Sequence, residues 1–319
     1  MSELCLGFDI GGTKCAVITA SHDSGNITLL EKSQIPTDTS ISPYAMIDKL
    51  IEMADTLLNG EKPAHIGVSC GSPLDSKTGF ILSPPNLPGW DEVPITKILT
   101  DHFGVKSYLQ NDANACAVAE WKFGAGKGTE NMIFLTFGTG FGAGLILNGS
   151  LYEGTNGNAG EIGHCRVAED GPWGYNKYGS MEGFCSGGGI HRLGLQVMKK
   201  YLDKGETPAF YNEDESQISA KTIAQAAYNG DPCALEIYKI CGEKLGAGLS
   251  LLIDLFNPER IVIGSIYARA HHLLRDNALA VIKEEALPHS SAVCEIVPAA
   301  LSENIGDYAA IAAAFISEE

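Results

Sequence analysis

The sequence predicts an α/β protein built on one unit used twice. Phe8-Asp9-Ile10-Gly11-Gly12-Thr13 and Leu135-Thr136-Phe137-Gly138-Thr139-Gly140 can be laid over one another, each an apolar run that breaks at glycines and then resumes as a strand. Short β-type runs alternate with helix-type runs around both copies. With 319 residues, 45% of them hydrophobic, the chain has apolar side chains for one large or two medium domains. A duplicated hairpin-plus-helix architecture with a cleft between the copies follows.

In chain order, Leu4 to Phe8 and Cys15 to Ala20 read as strands joined by the turn Asp9-Ile10-Gly11-Gly12-Thr13-Lys14, with a third strand near Ile27 to Glu31. Ser42-Pro43 opens a helix by supplying a cap and a proline at the first helical position. Met46, Ile47, Leu50, Ile51, Ala54, Leu57 and Leu58 keep to one face of it, and Gly60 is expected to close it. His65 to Ser69 resumes a strand, and residues 71–89 form a Pro/Gly-rich excursion of the length often used for function. Val105 to Gln110 reads as a short strand and Ala113 to Phe123 as a helix, which sets Asp112 on a strand-to-helix corner. There Asp112 is either a helix cap or a carboxylate placed to take a proton from a substrate hydroxyl.

The second half repeats the pattern. Met132 to Phe137 and Ala143 to Leu147 read as strands around Gly138-Thr139-Gly140-Phe141-Gly142, and Asn148-Gly149 is a hairpin signal. A short helix over Ile223 to Asn229 and a long one over Ala234 to Phe256 follow, the latter with Gly242, Gly246 and Gly248 available for close packing. Strands are expected at Ile261 to Ile263 and around Cys294 to Val297, and a terminal helix from Asp307 to Ile316.

Charge excludes several functions. Lys and Arg total 22 against 39 Asp and Glu, a formal charge of −17, so the chain repels phosphate backbones and anionic membranes. No apolar window long enough to span a bilayer occurs, and Met1 to Cys5 lacks the basic start of a secretory signal, so a cytoplasmic location is expected, with no membrane or nucleic-acid partner. The nine cysteines show no C-x-x-C spacing and sit mostly in apolar runs, which fits buried thiols and no structural disulfide.

Two motifs are decoys. Gly138-Thr139-Gly140-Phe141-Gly142-Ala143 satisfies a dinucleotide-binding pattern, but that fingerprint opens a helix and here a strand follows. Around Gly126-Lys127-Gly128-Thr129 the phosphate-loop pattern fails, because the residue after Lys127 is glycine where a serine or threonine is needed. The remaining glycine turns suit phosphate, since a missing Cβ lets backbone N–H groups approach anionic oxygens. Asp9 beside the first turn is suited to hold Mg²⁺, directly or through water.

Six motifs in register, Phe8-Asp9-Ile10-Gly11-Gly12-Thr13-Lys14, Asn86-Leu87-Pro88-Gly89-Trp90, Asn111-Asp112-Ala113-Asn114, Thr136-Phe137-Gly138-Thr139-Gly140-Phe141-Gly142, Gly160-Glu161-Ile162-Gly163-His164 and Asn257-Pro258-Glu259-Arg260-Ile261-Val262-Ile263-Gly264, resemble the ROK family of sugar kinases and sugar-responsive repressors. The resemblance implies a duplicated actin/hexokinase-like (ribonuclease H-like) α/β fold with an active-site cleft between two lobes. The smaller lobe would comprise residues 1–112 with a C-terminal helix over about 304–319, and the larger one residues 113–303. It implies ATP phosphates at Gly11, Gly12, Thr13, Lys14, Gly138, Thr139 and Gly140, with adenine near Gly264. Sugar hydroxyls would be held by Asn86, Asn111, Asp112, Glu161, His164 and Glu182, with Asp112 as general base.

The implied reaction is glucokinase-like: phosphorylation of a hexose or N-acetylhexosamine by ATP and Mg²⁺, usually at the 6-hydroxyl, in a homodimer. Repressors of the family carry a DNA-binding segment ahead of the first strand, where this chain has only Met1-Ser2-Glu3, so a kinase is expected over a non-catalytic sugar sensor.

The implied sugar set also makes chemical sense, because acidic and amide side chains read hydroxyls that both donate and accept. Glu161 and His164, three apart, would share a face if helical. One departure concerns metal. Most ROK members complete a zinc site after the histidine at position 164 with three thiolates, whereas here Trp173, Tyr175 and Ser180 stand at those places. Cys165 and Cys185 lack the spacing, so no zinc site is expected and aromatic packing by Trp173, Tyr175 and Tyr178 would support the loop instead.

Overall fold

In the computed structural model, which describes residues 2–316, the chain separates into two compact units. The first takes in the described residues of Met1–Glu130, Gly144–Ala159 and Ala300–Glu319; the second comprises Asn131–Ala143 and Gly160–Ala299.

The first unit opens with three antiparallel strands, β1 (Glu3–Ile10), β2 (Lys14–Asp23) and β3 (Asn26–Pro36). β3 runs beyond the expected Glu31 because its outer half continues to pair with β2 as far as Lys14↔Pro36. That half is largely polar and exposed, so the hydrophobic pattern hides it. Helix α1 (Pro43–Leu58) starts where Ser42 Oγ accepts the Ala45 N–H at 3.1 Å and buries Met46, Ile47, Leu50, Ile51, Ala54 and Leu58. It is closed by Asn59, at φ 47°, one residue before the expected Gly60; asparagine tolerates the left-handed region.

Next come β4 (His65–Cys70), the small hairpin β5 (Leu74–Asp75) and β6 (Phe80–Ile81), α2 (Ile95–Phe103), β7 (Ser107–Asn111) and α3 (Asp112–Phe123). The first sheet has the order β3-β2-β1-β4-β7, with β4 parallel to both β1 and β7. Its register aligns Ile10 with Cys70 and Cys70 with Asn111, so the loops leaving three parallel strands share one edge.

In the second unit β8 (Met132–Phe137) is followed by β9 (Phe141–Leu147), which with β10 (Ser150–Tyr152) carries the chain back into the first unit. Asn148 and Gly149, at φ 54° and 74°, make the expected tight turn. The second unit continues with β11 (Trp173–Gly174), β12 (Lys177–Tyr178), α4 (Met181–Phe184), α5 (Gly187–Leu202), α6 (Ala220–Tyr228) and α7 (Pro232–Phe256). β13 (Arg260–Ile263), α8 (Ile266–Glu285), α9 (Pro288–Ser291) and β14 (Glu295–Pro298) complete it. The second sheet, β10-β9-β8-β13-β14, repeats the first: three consecutive strands, then two parallel additions. Gly242 and Gly246 of α7 do serve close packing. A Cβ at either would sit 2.8 Å from Leu274 O or 2.6 Å from Ala278 O of α8.

Helix α10 (Ile305–Ala312) closes the first unit. Gly7 and Gly67 let it lie on the sheet, since a Cβ at Gly67 would stand 2.2 Å from Ala310 O. A 3₁₀ turn over Ala313–Phe315 follows, and residues 317–319 of the expected terminal helix lie outside the described residues. The first unit extends past residue 112 for a physical reason. Glu120 of α3, fully buried, accepts N–H groups from Ala125, Ala300 and Leu301 and ties α3 to the approach to α10. No helix among the described residues is long and apolar enough to cross a membrane.

Candidate active site

In the first unit the candidate residues gather at the carboxyl edge of the parallel strands, the edge where open α/β sheets bind ligands. The turn after β1 is held by the Gly11 N–H donating to Lys14 O at 3.1 Å and by Thr37 Oγ1 donating to Gly11 O at 2.5 Å. Gly12 is required there: a Cβ would lie 2.4 Å from Asn86 O and 2.5 Å from Asn86 Cβ, so the first glycine turn and the Asn86 loop touch backbone to backbone. Leu87 and Trp90, both buried, anchor that loop in the core while Asn86 stays exposed.

Asp112 is not the cap of α3. Asn111 is, its Oδ1 accepting the Asn114 N–H at 2.8 Å, and Asp112 occupies the first turn with Oδ1 accepting the Ala113 N–H at 2.8 Å. The capping duty falls to the neighbour, and Asp112 stays exposed at the positive end of the helix dipole. Behind it Gln110 Oε1 accepts the Asn111 N–H, and Gln110 Nε2 donates to Glu153, which also accepts from Ser76 at 2.7 Å. Glu153, Gln110 and Asn111 line a cavity of about 390 Å³ with Ser72, Asp75 and Asn158. Spacing does not point to Glu153, which stands 43 residues beyond Gln110 in the chain and meets it only in the folded structure.

Asp9 carries the electrostatics of this edge. Burial, then the nearby Asp307 and Asp112 carboxylates, push its pKa up to about 6, although Lys32 and Lys14 oppose them. Lys32 itself pairs with Asp307 at 2.6 Å. Carboxylate oxygens with more negative charge than the adjoining lysines offset are a donor set that fits Mg²⁺. In metal-free protein the native state keeps the Asp9 proton up to about pH 6, whereas an unfolded aspartate releases it near 3.8. Stability therefore falls as pH rises through that window. Asp9→Asn is expected to remove this slope and to gain up to about 3 kcal/mol at pH 8 with little gain at pH 4. Denaturation midpoints at the two pH values check it; equal gains would remove the carboxylate from this role.

In the second unit the Gly138 turn is closed by the Gly138 N–H donating to Gly140 O at 3.1 Å, and Gly138 O accepts the Gly187 N–H at 2.8 Å at the start of α5. Glu182 lies against this turn, accepting the Phe141 N–H at 3.2 Å. Ser265, at φ 52°, follows Gly264 and packs beside Gly138. Thus Gly138, Thr139, Gly140, Glu182 and Gly264 form one group.

Glu161 and His164 sit at a 3₁₀ turn over Ile162–His164, where residues three apart eclipse, so the shared face is real. The β11-β12 hairpin grips both. Tyr175 donates to Glu161 Oε2 at 2.8 Å and meets the His164 ring edge-on at 4.8 Å, while Lys177 Nζ reaches His164 Nδ1 at 3.0 Å. Burial, then the bond to Glu161, push the Tyr175 phenol up to about 12. At the other two places where thiolates would stand, Trp173 packs on Tyr178 at 4.9 Å and buried Ser180 caps α4. Tyr175 and its neighbour Asn176 adopt φ of 51° and 60°, which is unusual for a bulky tyrosine and localises strain at this contact.

Comparison with known proteins matches residues 5–316 to the ROK family. The chain belongs to the ROK family. It is 31% identical over 307 residues to a glucokinase of Thermotoga maritima, covering 94% of each chain. It superposes with a TM-score of 0.75 on a ROK glucokinase from Streptomyces griseus in complex with glucose and AMPPNP, at 27% identity and 99% coverage of both. It is also 32% identical over 227 residues to a xylose repressor of Caldicellulosiruptor bescii, covering 70% of this chain but 54% of that one. The two repeated sheets are those of the actin/hexokinase-like fold of ROK sugar kinases.

Proposed function

We propose that this ROK protein transfers the γ-phosphoryl group of ATP to the 6-hydroxyl of a hexose or N-acetylhexosamine, with Asp112 as general base. Membership in the family and full-length likeness to glucokinases make it an ATP-dependent sugar kinase. The observation that most supports the reading is the register of the first sheet, which sets the Asp9-Gly12 turn, the loop after Cys70 and the Asn111-Asp112 corner on one edge.

The two glycine turns would direct backbone N–H groups at phosphate oxygens. Asn86 and Asn111 on the first unit would hold sugar hydroxyls through their amide donors and acceptors; on the second unit, Glu161, His164 and Glu182 carry groups suited to the same kind of contact. Asp112 would orient the attacking hydroxyl and accept its proton late, which suits a loose transition state in which positioning and charge stabilisation supply most of the acceleration. The helix dipole keeps Asp112 ionised for that task at the expense of basicity. Mg²⁺, when bound through Asp9, would neutralise charge on the phosphates. Tyr175 would act on the sugar through Glu161. Tyr175→Phe is expected to raise the sugar KM several-fold while leaving the ATP KM unchanged, and an equal rise in both constants would count against it.

A coupled assay of ATP consumption across hexoses and N-acetylhexosamines, glucose first, tests the whole reading. Turnover that depends on one of these sugars supports it. The likeness to a xylose repressor favours a second reading, a sugar-sensing regulator. Sugar binding with no ATP turnover would select that one.

A further inference from the structure

We propose that Glu3, His22 and His65 form a binding site for a divalent ion of the zinc type, on the first unit and apart from every residue assigned above to catalysis. The sheet creates the grouping. Glu3 of β1 pairs directly with His22 of β2, and His65 begins β4 on the other flank of β1, paired with Cys5. The three side chains thus come from three adjacent strands at the same end of the sheet.

Their geometry suits an ion. Glu3 Oε2 lies 3.1 Å from His65 Nε2 and 3.5 Å from His22 Nδ1, and the three donor atoms all lie within 4.8 Å of one another. Ligands bound to tetrahedral zinc at about 2.1 Å stand roughly 3.4 Å apart, so small rotations of the two rings complete the arrangement. The ring of Phe315 backs both imidazoles, 4.8 Å from His22 and 4.7 Å from His65 by ring centroids, and restrains them from one side. The histidines are half-buried and Glu3 is exposed, which leaves a fourth position open to water. Two imidazole nitrogens and one carboxylate oxygen select zinc, cobalt or nickel over magnesium and calcium, which prefer oxygen alone.

The sequence gives no expectation of zinc because ligand motifs are found by spacing, and positions 3, 22 and 65 share none. An ion held there would clasp β1, β2 and β4 and, through Phe315, the segment after α10. Binding only the folded state, it would stabilise the first unit.

The test uses tag-free, full-length protein stripped with EDTA and titrated calorimetrically with zinc chloride, with cobalt chloride as a spectroscopic probe. The expected result is one equivalent bound, a tetrahedral cobalt absorption spectrum and a higher Tm with zinc. Glu3→Gln, at an exposed strand position that does not endanger folding, and His65→Gln are each expected to weaken zinc at least about tenfold and to abolish the zinc-dependent rise in Tm, with kinase turnover unchanged. No binding to the wild type, or wild-type affinity in either variant, overturns the proposal; the latter would move the zinc to other ligands, such as His164 with the exposed Cys165.

Discussion

Asp112→Asn is expected to lower kcat on the order of 10²-fold or more while the sugar KM stays within a few-fold of wild type. The substitution is nearly isosteric, and the local fold does not depend on the charge it removes. The cap of α3 belongs to Asn111, and an amide oxygen can still accept the Ala113 N–H that Asp112 Oδ1 accepts now. Sugar contacts of the hydrogen-bonding kind therefore survive, and what is lost is an acceptor for the hydroxyl proton. Asn111→Ala is a poorer probe, because it strips the cap as well, at about 1 kcal/mol of helix stability. Steady-state kinetics with saturating ATP decide the matter. Turnover within a few-fold of wild type would take Asp112 out of the role of base and leave it as a residue of the first helical turn.

The same corner shows what a sequence can and cannot reveal about such a site. That a strand ends and a helix begins at residues 111–112 is legible from an apolar run followed by alanine-rich periodicity. Which of two adjacent polar residues caps the helix is not, because Asn and Asp are nearly equal as caps and tertiary context chooses. The glycine turns, α1 and the Asn148-Gly149 hairpin are local structures encoded by a few neighbouring residues, and they are read correctly.

Helices α2, α5 and α8 escape the same reading. α5 opens with Gly187-Gly188-Gly189, which local propensity assigns to loop. Gly189 is there because a Cβ would lie 2.4 Å from Gly183 O, a tertiary demand invisible in the sequence. α8 is largely polar and kinked at Ala270, at φ −127°, so its apolar stripe is broken. At the site, the spacing of Glu161 and His164 reveals their common face. The Tyr175 and Lys177 contacts, across 14 and 13 residues of loop, depend on the β11-β12 hairpin and are not visible beforehand.

The second large effect is expected from Glu120→Ala, at about 3–5 kcal/mol of destabilisation. Glu120 is a fully buried carboxylate whose contacts are backbone donors: Ala125 N–H at 2.7 Å and Ala300 N–H at 3.2 Å on Oε2, and Leu301 N–H at 2.8 Å on Oε1. Alanine removes the acceptor that the Ala300 and Leu301 N–H groups share, together with the Ala125 N–H bond, in a space that water does not readily fill, and each orphaned donor costs about 1–3 kcal/mol. The donors lie at the end of α3 and just before α10, so the loss loosens two helices of the first unit at once. Glu120→Gln provides an internal scale. It retains one oxygen acceptor but turns an NH₂ group toward backbone donors, so its midpoint in chemical denaturation should fall between wild type and Glu120→Ala. If Glu120→Leu, which refills the volume without an acceptor, proved as stable as wild type, the carboxylate would be packing volume and not the tie that holds residues 300 and 301 to α3.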